Sequence, residues 1–165
     1  MTILVTGAAG FIGSNFVLDW FDNSQEDVVS IDILTYAGNL ENLSSLDGNP
    51  HHHFIRGNIS DRDLVSEILK KYQIRAIVNF AAESHVDRSI HGPWDFIDTN
   101  IVSTYNLLES VRSYWNDLDE ATKKAFRFLH VSTDEVYGSL DNKAPAFNEN
   151  NPYEPNSPYS ASKAS

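Results

Sequence analysis

The sequence predicts an α/β fold built as a doubly wound parallel sheet. Three observations predict it. Short β-branched runs alternate with segments of helical spacing, a glycine triplet stands where the first run gives way to the first helix, and an acidic residue closes the second run. Ile3, Leu4 and Val5 form a short buried strand, after which Ile12, Phe16, Val17, Trp20 and Phe21 fall on one helical face. Val28, Val29 and Ile31 make the second strand, ending at Asp32, and residues 35–50 form a long connection with a short helix in it. Phe54 and Ile55 mark the third strand. Ser60, with Asp63 three positions on, has the signature of a helix N-cap, and Leu64, Val65, Ile68, Leu69 and Tyr72 give that helix its apolar side. Residues 76–80 are the fourth strand. Pro93 suits a first helical turn, and one long helix follows with Ile97, Ile101, Thr104, Leu108, Val111 and Trp115 on a single face. Residues 126–131 are the fifth strand, with Ser132, Thr133, Asp134 and Glu135 at its C-terminal end. Pro145, Pro152, Pro155 and Pro158 then punctuate an irregular segment that is neither regular helix nor central strand.

At 165 residues, 41% hydrophobic and 21% charged, the chain has the size and composition of one globular domain with a core of its own. It has no cysteine, which removes disulfides, thiolate nucleophiles and Cys-ligated metal. Twelve Lys+Arg against 23 Asp+Glu give a formal charge of −11, which repels nucleic acid and anionic membranes, so neither is expected as a partner. The N-terminus begins in an apolar run without the basic stretch of a signal peptide, and no stretch is long and apolar enough to span a bilayer; the expected location is cytoplasmic.

Gly7, Gly10 and Gly13 follow the first strand and open the first helix. Glycine suits these positions because the chain must turn tightly, let its backbone touch a pyrophosphate and pack helix close to strand, while the helix N-terminus supplies N–H groups to the phosphates. Asp32 lies 19 residues beyond Gly13, where a carboxylate accepts hydrogen bonds from the adenosine ribose hydroxyls. A 2′-phosphate would meet that carboxylate, and Ile33 and Leu34 offer no arginine to receive it. The expected cofactor is therefore NAD rather than NADP.

Tyr159 and Lys163 form a YxxxK pair, which on a helix points both side chains to one face. An ammonium beside a phenol favours the phenolate, so Lys163 is expected to lower the Tyr159 pKa toward that of a general base. With TGAAGFIGSNF at the start, DILTYAGNLENL after the second strand, AAESHVDRSI after the fourth, STDEVYG after the fifth and SPYSASKAS at the end, the chain resembles the extended short-chain dehydrogenase/reductase family over all 165 residues. The resemblance implies a Rossmann-type NAD-binding domain and an enzyme acting on a nucleotide sugar. Asp134 followed by Glu135 points within the family to the 4,6-dehydratases, with dTDP-glucose as substrate and dTDP-4-keto-6-deoxyglucose as product. It assigns Tyr159 as base for the O4 proton, assisted by Lys163 and Thr133, Glu135 as base at C5, and Asp134 as acid for the departing C6 hydroxyl. Adjacent carboxyl groups acting as acid and base need environments that keep them in opposite protonation states.

By match, the resemblance also assigns NAD contacts to Phe11, Ile12, Asp32, Ile33, Leu34, Thr35, Asn58, Ile59, Phe80, Ala81, Ala82, Ser84, Thr99, Tyr159 and Lys163, and substrate contacts to Ser84 and Thr133. Asn58 departs from the usual aspartate, and its amide oxygen still accepts a bond from the adenine amino group. His85, Asp87 and Arg88 lie in the same loop as Ser84, either touching substrate or fixing the loop. No metal is expected at His51, His52 and His53, since three consecutive residues of an extended segment do not point one way. Trp94, Tyr114 and Trp115 read as core or as contact with a second subunit, the family implying a homodimer. Two other readings stay open: a 4-epimerase or decarboxylase on a related sugar nucleotide, and a non-catalytic NAD-binding module. The resemblance further implies that residues 1–165 are the NAD-binding domain with the start of the YxxxK helix. A substrate-binding domain outside this sequence is expected to grip the nucleotide and help form the dimer, so that these residues alone bind NAD with little turnover.

Overall fold

The computed structural model describes residues 1–141 and 143–165. Among them, β1 (Thr2–Thr6), β2 (Asp27–Asp32), β3 (His52–Arg56), β4 (Ile74–Asn79) and β5 (Arg127–His130) form one parallel sheet in the order β3-β2-β1-β4-β5. The fold is the Rossmann-like α/β architecture read from the sequence. Its strand order reverses at β1, which opens a crevice beyond the carboxyl ends of β1 and β4, where such sheets bind ligands. The chain divides into two compact units, residues 1–81 with 103–131 and residues 82–102 with 132–165.

The first unit holds the sheet. β1 is buried along its whole length and β2 along nearly all of it, because helices cover both faces; this is why the strands read as continuous apolar runs rather than alternating ones. On one face Leu4, Val29, Ile31 and Ile77 pack with Val65 and Ile68 of α2 (Arg62–Lys71), and with Leu107, Val111 and Tyr114 of the helix Thr104–Asn116. On the other, Ile3, Val5 and Val28 pack with Val17 of α1 (Phe11–Asn23), and with Leu43 and Leu46 of a 3-10 helix (Leu40–Leu46), the short helix expected in the long connection. The Tyr114 hydroxyl donates to the Ile74 carbonyl at 3.1 Å, so this aromatic is core.

Two expectations shift by one residue. The N-cap of α2 is Asp61 rather than Ser60: its Oδ1 accepts from Leu64 N at 3.0 Å, while Ser60 Oγ accepts instead from Asn106 Nδ2 at 2.9 Å. The segment from Pro93 is not one uniform helix. After α3 (Val86–His91) it runs as α4 (Pro93–Phe96), a π-helical stretch (Ile97–Ser103) and α5 (Thr104–Asn116), followed by α6 (Glu120–Ala125). The wider π turn moves the inward stripe to Phe96, Asn100, Ser103, Leu107, Val111 and Tyr114, leaving Ile97, Leu108 and Trp115 exposed. The expected face of Ile97, Ile101, Thr104, Leu108 and Trp115 is thus one position off, and only Val111 is common to both.

The three consecutive histidines go to three different partners. His51 Nδ1 meets Asp27 Oδ1 at 2.6 Å, His52 Nε2 meets Ser30 Oγ at 2.9 Å, and the His53 ring stacks on Tyr72 at 5.0 Å. Burial, and then the neighbouring His53, hold the His52 pKa below its ordinary value of 6.5. The unfolded chain therefore takes up this proton first as pH falls, and the stability tied to neutral His52 is complete above pH 6.5 and is lost on acidification below it. Urea unfolding at neutral and at mildly acidic pH should show that loss, and His52→Gln should reduce it; an undiminished loss would overturn the assignment. Among the described residues, no helix is long and apolar enough to cross a membrane.

Candidate functional site

In the first unit the glycine loop runs from the end of β1 into α1. Gly7 adopts φ +62°, and a Cβ there would stand 2.7 Å from Ala81 N, so neither the backbone angle nor the space admits a side chain. A Cβ on Gly13 would stand 2.2 Å from the Gly7 carbonyl oxygen, which is how closely α1 packs on the loop. Gly10 begins α1 without a capping side chain, and the first turn has no acidic residue, so its amides and the positive end of the helix dipole suit a phosphate. Phe11 and Ile12, 82% and 62% exposed, flank that turn with apolar surface.

Asp32 ends β2 beside this loop. Its Oδ2 accepts from Ala9 N at 3.0 Å and its Oδ1 from Leu34 N at 2.8 Å. Each carboxylate oxygen keeps a further lone pair, enough for a pair of ribose hydroxyls. Ala9 is bonded at both ends, since its carbonyl accepts from Asn39 N and from Asn42 Nδ2, each at 3.0 Å. Leu34 holds a left-handed φ of 59°, Ile33 and Thr35 are exposed, and the Thr35 carbonyl accepts from Gly38 N at 3.1 Å. Asn58 Oδ1 accepts from Ser60 N at 2.9 Å, with a lone pair left over. Ile59 and Phe80 turn their side chains inward, Ile59 into the α2 cluster and Phe80 onto Phe16 at 5.3 Å, and Phe80 N donates to the Thr6 carbonyl at 3.3 Å. The set fits a dinucleotide: a cradle that Cβ atoms would fill, an uncapped helix N-terminus and, on the adjacent strand, a carboxylate bonded to the loop.

Beneath the loop lies a chain of polar groups that the sequence reading missed. Thr6 Oγ1 accepts from Ala81 N at 3.1 Å and donates to Asn79 Oδ1 at 2.5 Å, and Asn79 Nδ2 meets His130 Nδ1 at 3.0 Å. Thr6 and Asn79 are fully buried, and polar residues at the ends of otherwise apolar strands were the available signal.

The second unit gathers the other candidates. Thr133 caps a 3-10 turn (Asp134–Tyr137), its Oγ1 accepting from Glu135 N at 3.3 Å. α7 (Pro158–Ala164) opens on a capping box, in which Ser157 Oγ accepts from Ser160 N at 3.0 Å and Ser160 Oγ from Ser157 N at 3.1 Å. The Tyr159 phenol is hydrogen-bonded to the Thr133 side chain and feels the charges of Glu135 and Asp134, while Phe96 meets its ring edge-on at 6.3 Å. These four candidates thus come together, with Lys163 one turn along α7. Their electrostatics correct one expectation: the Tyr159 pKa is raised, not lowered. Burial of the phenol is the main cause and the two carboxylates add to it, while the Thr133 bond pulls the other way. Lys163 is itself pushed below the ordinary lysine value by burial.

Asn100, in the π-helical stretch and 5% exposed, was missed too. Its Nδ2 donates to the Glu83 carbonyl at 2.9 Å and to Ser162 Oγ at 2.8 Å, and its Oδ1 accepts from Glu83 N at 2.9 Å. It joins the loop of Ala82 and Ser84 to α7 between Tyr159 and Lys163, and Thr99 precedes it. Of the three residues left open, His85 is the N-cap of α3, and Asp87 and Arg88 lie in that helix rather than in a loop; these two line a cleft of about 360 Å³ with His91, Asp95 and Phe96, and His85 does not line it.

The family described as GDP-mannose 4,6 dehydratase matches residues 4–165. The dTDP-glucose 4,6-dehydratase of Xanthomonas campestris pv. campestris (strain B100) is 59% identical over 163 residues, 99% of this chain and 46% of its own length. That of Haemophilus influenzae is 53% identical over 164 residues, 99% of this chain and 48% of its own. A dTDP-glucose 4,6-dehydratase of Streptomyces venezuelae, solved with NAD bound, superposes with a TM-score of 0.86 at 46% identity, covering 99% of this chain and 48% of that one. The chain spans about half the length of the curated relatives it matches.

Proposed function

Because the chain belongs to the GDP-mannose 4,6 dehydratase family, we propose that it carries the NAD site and the catalytic groups of a dTDP-glucose 4,6-dehydratase, a hydro-lyase. The observation that carries this reading is the Thr133–Asp134–Glu135 turn hydrogen-bonded to Tyr159, two carboxyl groups beside a phenol. Gly7, Gly10 and Gly13 would cradle the pyrophosphate and Asp32 the adenosine ribose. NAD, when bound, supplies the acceptor that takes hydride from C4 of the hexose and gives it back at C6.

Tyr159 removes the O4 proton as C4 is oxidised, with Thr133 holding the phenol oxygen and Lys163 supplying positive charge along the same helix face. The ketone acidifies the C5 proton, since the carbanion is stabilised as an enolate. Glu135 removes that proton and Asp134 protonates the C6 hydroxyl, which leaves as water. Hydride at C6 and a proton at C5 then complete the 4-keto-6-deoxy sugar, so the only net loss is one water. Because burial and the two carboxylates raise the pKa of Tyr159, the phenolate that takes the O4 proton gains population as pH rises, and the charges around it set where that happens.

Residues 1–165 would be the NAD-binding domain with the start of the YxxxK helix, and groups outside this sequence would grip the nucleotide. The outer stripe of α5, with Tyr105, Leu108 and Trp115 exposed, supports a homodimer of the intact protein; the expected location is the cytoplasm. The test is to incubate the intact protein with dTDP-glucose and, separately, UDP-glucose, and to read NAD reduction by absorbance and the loss of one water by mass spectrometry. Dehydration of dTDP-glucose with bound NAD is expected. Epimerisation at C4 without water loss, or near-equal binding of NADP, would overturn the reading.

A further inference from the structure

The 3-10 turn bearing Asp134 and Glu135 is anchored at both ends. Thr133 caps its start, and at its end Tyr137 packs its ring against Phe147 at 5.4 Å and Tyr153 at 5.3 Å. Two further ties close the segment that departs here. The Val136 carbonyl accepts from Glu154 N at 3.0 Å, and Ser139 Oγ accepts from Asn156 Nδ2 at 2.6 Å. Between them Gly138 takes φ +99°, and a Cβ there would stand 2.8 Å from the Glu154 carbonyl oxygen. The chain leaves the turn at residue 138 and returns beside it at 154–156, one residue before Ser157 caps the helix of Tyr159. The loop is therefore a closed strap that sets where the two carboxyl groups stand relative to the phenol.

We propose that Tyr137 is a positioning residue for the dehydration step: its ring, held by Phe147 and Tyr153, keeps the far end of the acid–base turn in place beside Tyr159. The inference rests on the 4,6-dehydratase reading. Its physical content is an asymmetry between the two halves of the reaction. α7 is also held by contacts outside the turn, the Asn100–Ser162 hydrogen bond and the Phe96 ring against Tyr159, so Tyr159 and Lys163 keep their places when the turn loosens. Asp134 and Glu135 depend on the turn and its own ties, the Thr133 cap, the buried Val136 and the Tyr137 ring. Oxidation at C4 draws on α7, and elimination across C5 and C6 draws on the turn, so loss of the Tyr137 anchor should separate the two.

The experiment compares Tyr137→Leu, Tyr137→Phe and wild type in the intact protein loaded with NAD. On addition of dTDP-glucose, Tyr137→Leu is expected to accumulate reduced coenzyme and to form the 4-keto-6-deoxy product about 10²-fold more slowly, the scale of an ångström-sized misplacement of reacting groups. The apparent KM for dTDP-glucose and the NAD content should stay at wild-type values. Tyr137→Phe keeps the ring and should match wild type. Gly138→Ala, which strains the same strap through the backbone, should repeat the Tyr137→Leu pattern and serves if that variant fails to fold. Oxidation and dehydration slowed by the same factor, or a Tyr137→Leu enzyme that turns over like wild type, would overturn the proposal. Wild type that forms no dehydrated product would instead overturn the reading on which it rests.

Discussion

Asp134→Asn is expected to leave NAD reduction by dTDP-glucose in place and to slow loss of water by roughly 10²–10⁴-fold, the usual worth of a general acid. An asparagine keeps the size of the side chain, so the 3-10 turn and its Thr133 cap stay as they are. What it removes is the proton offered to the C6 hydroxyl, a poor leaving group without one. Rapid mixing should show reduced coenzyme rising and then persisting, since hydride returns only after elimination has opened C6 to it. An unchanged dehydration rate would remove Asp134 from the role of acid.

The second large effect falls on the oxidation half. Tyr159→Phe should slow coenzyme reduction by about 10²–10⁴-fold through loss of the base, and the pH dependence of the remaining enzymes should reveal what tunes it. The base works deprotonated, so the rate of reduction rises with pH through the Tyr159 pKa. The hydrogen bond from Thr133 lowers that pKa, so Thr133→Val should move the rising limb to higher pH. The charge of Glu135 raises it, so Glu135→Gln should move the limb to lower pH in a single turnover, even though that variant no longer dehydrates. Shifts of the same sign in both variants would contradict the electrostatic account of the site.

The parallel sheet was legible because burial on both faces writes itself into short β-branched runs such as residues 3–5 and 28–31, and the glycines at 7 and 13 because their backbone leaves no room for a Cβ. Asp32 was legible from its spacing. The sequence did not disclose how the helix from Pro93 turns. An apolar count at three-to-four spacing selects Ile97, Leu108 and Trp115, whereas the π stretch buries Asn100, a residue whose hydrogen bonds make its burial favourable and whose chemistry hides it from such a count. The same blindness covers Thr6 and Asn79: buried polar networks are specified by partners far apart in sequence, 73 residues in this case. The pKa of Tyr159 went the other way from expectation because spacing along a helix identifies Lys163 as its neighbour, while the depth of the phenol and the carboxylates facing it depend on the folded turn at 133–137.

The double duty of Asp32 bears on how readily this scaffold changes coenzyme. A redesign toward a 2′-phosphorylated dinucleotide would start by replacing the carboxylate with a small or cationic residue. Here that change also orphans the amides of Ala9 and Leu34, the first inside the phosphate loop and the second at a left-handed φ. Selectivity and loop order are thus written in one side chain. A variant library that alters only position 32 should return proteins with weaker binding of both coenzymes, and a successful switch should carry compensating changes at the loop's other tether, Asn42, or at residue 34 itself.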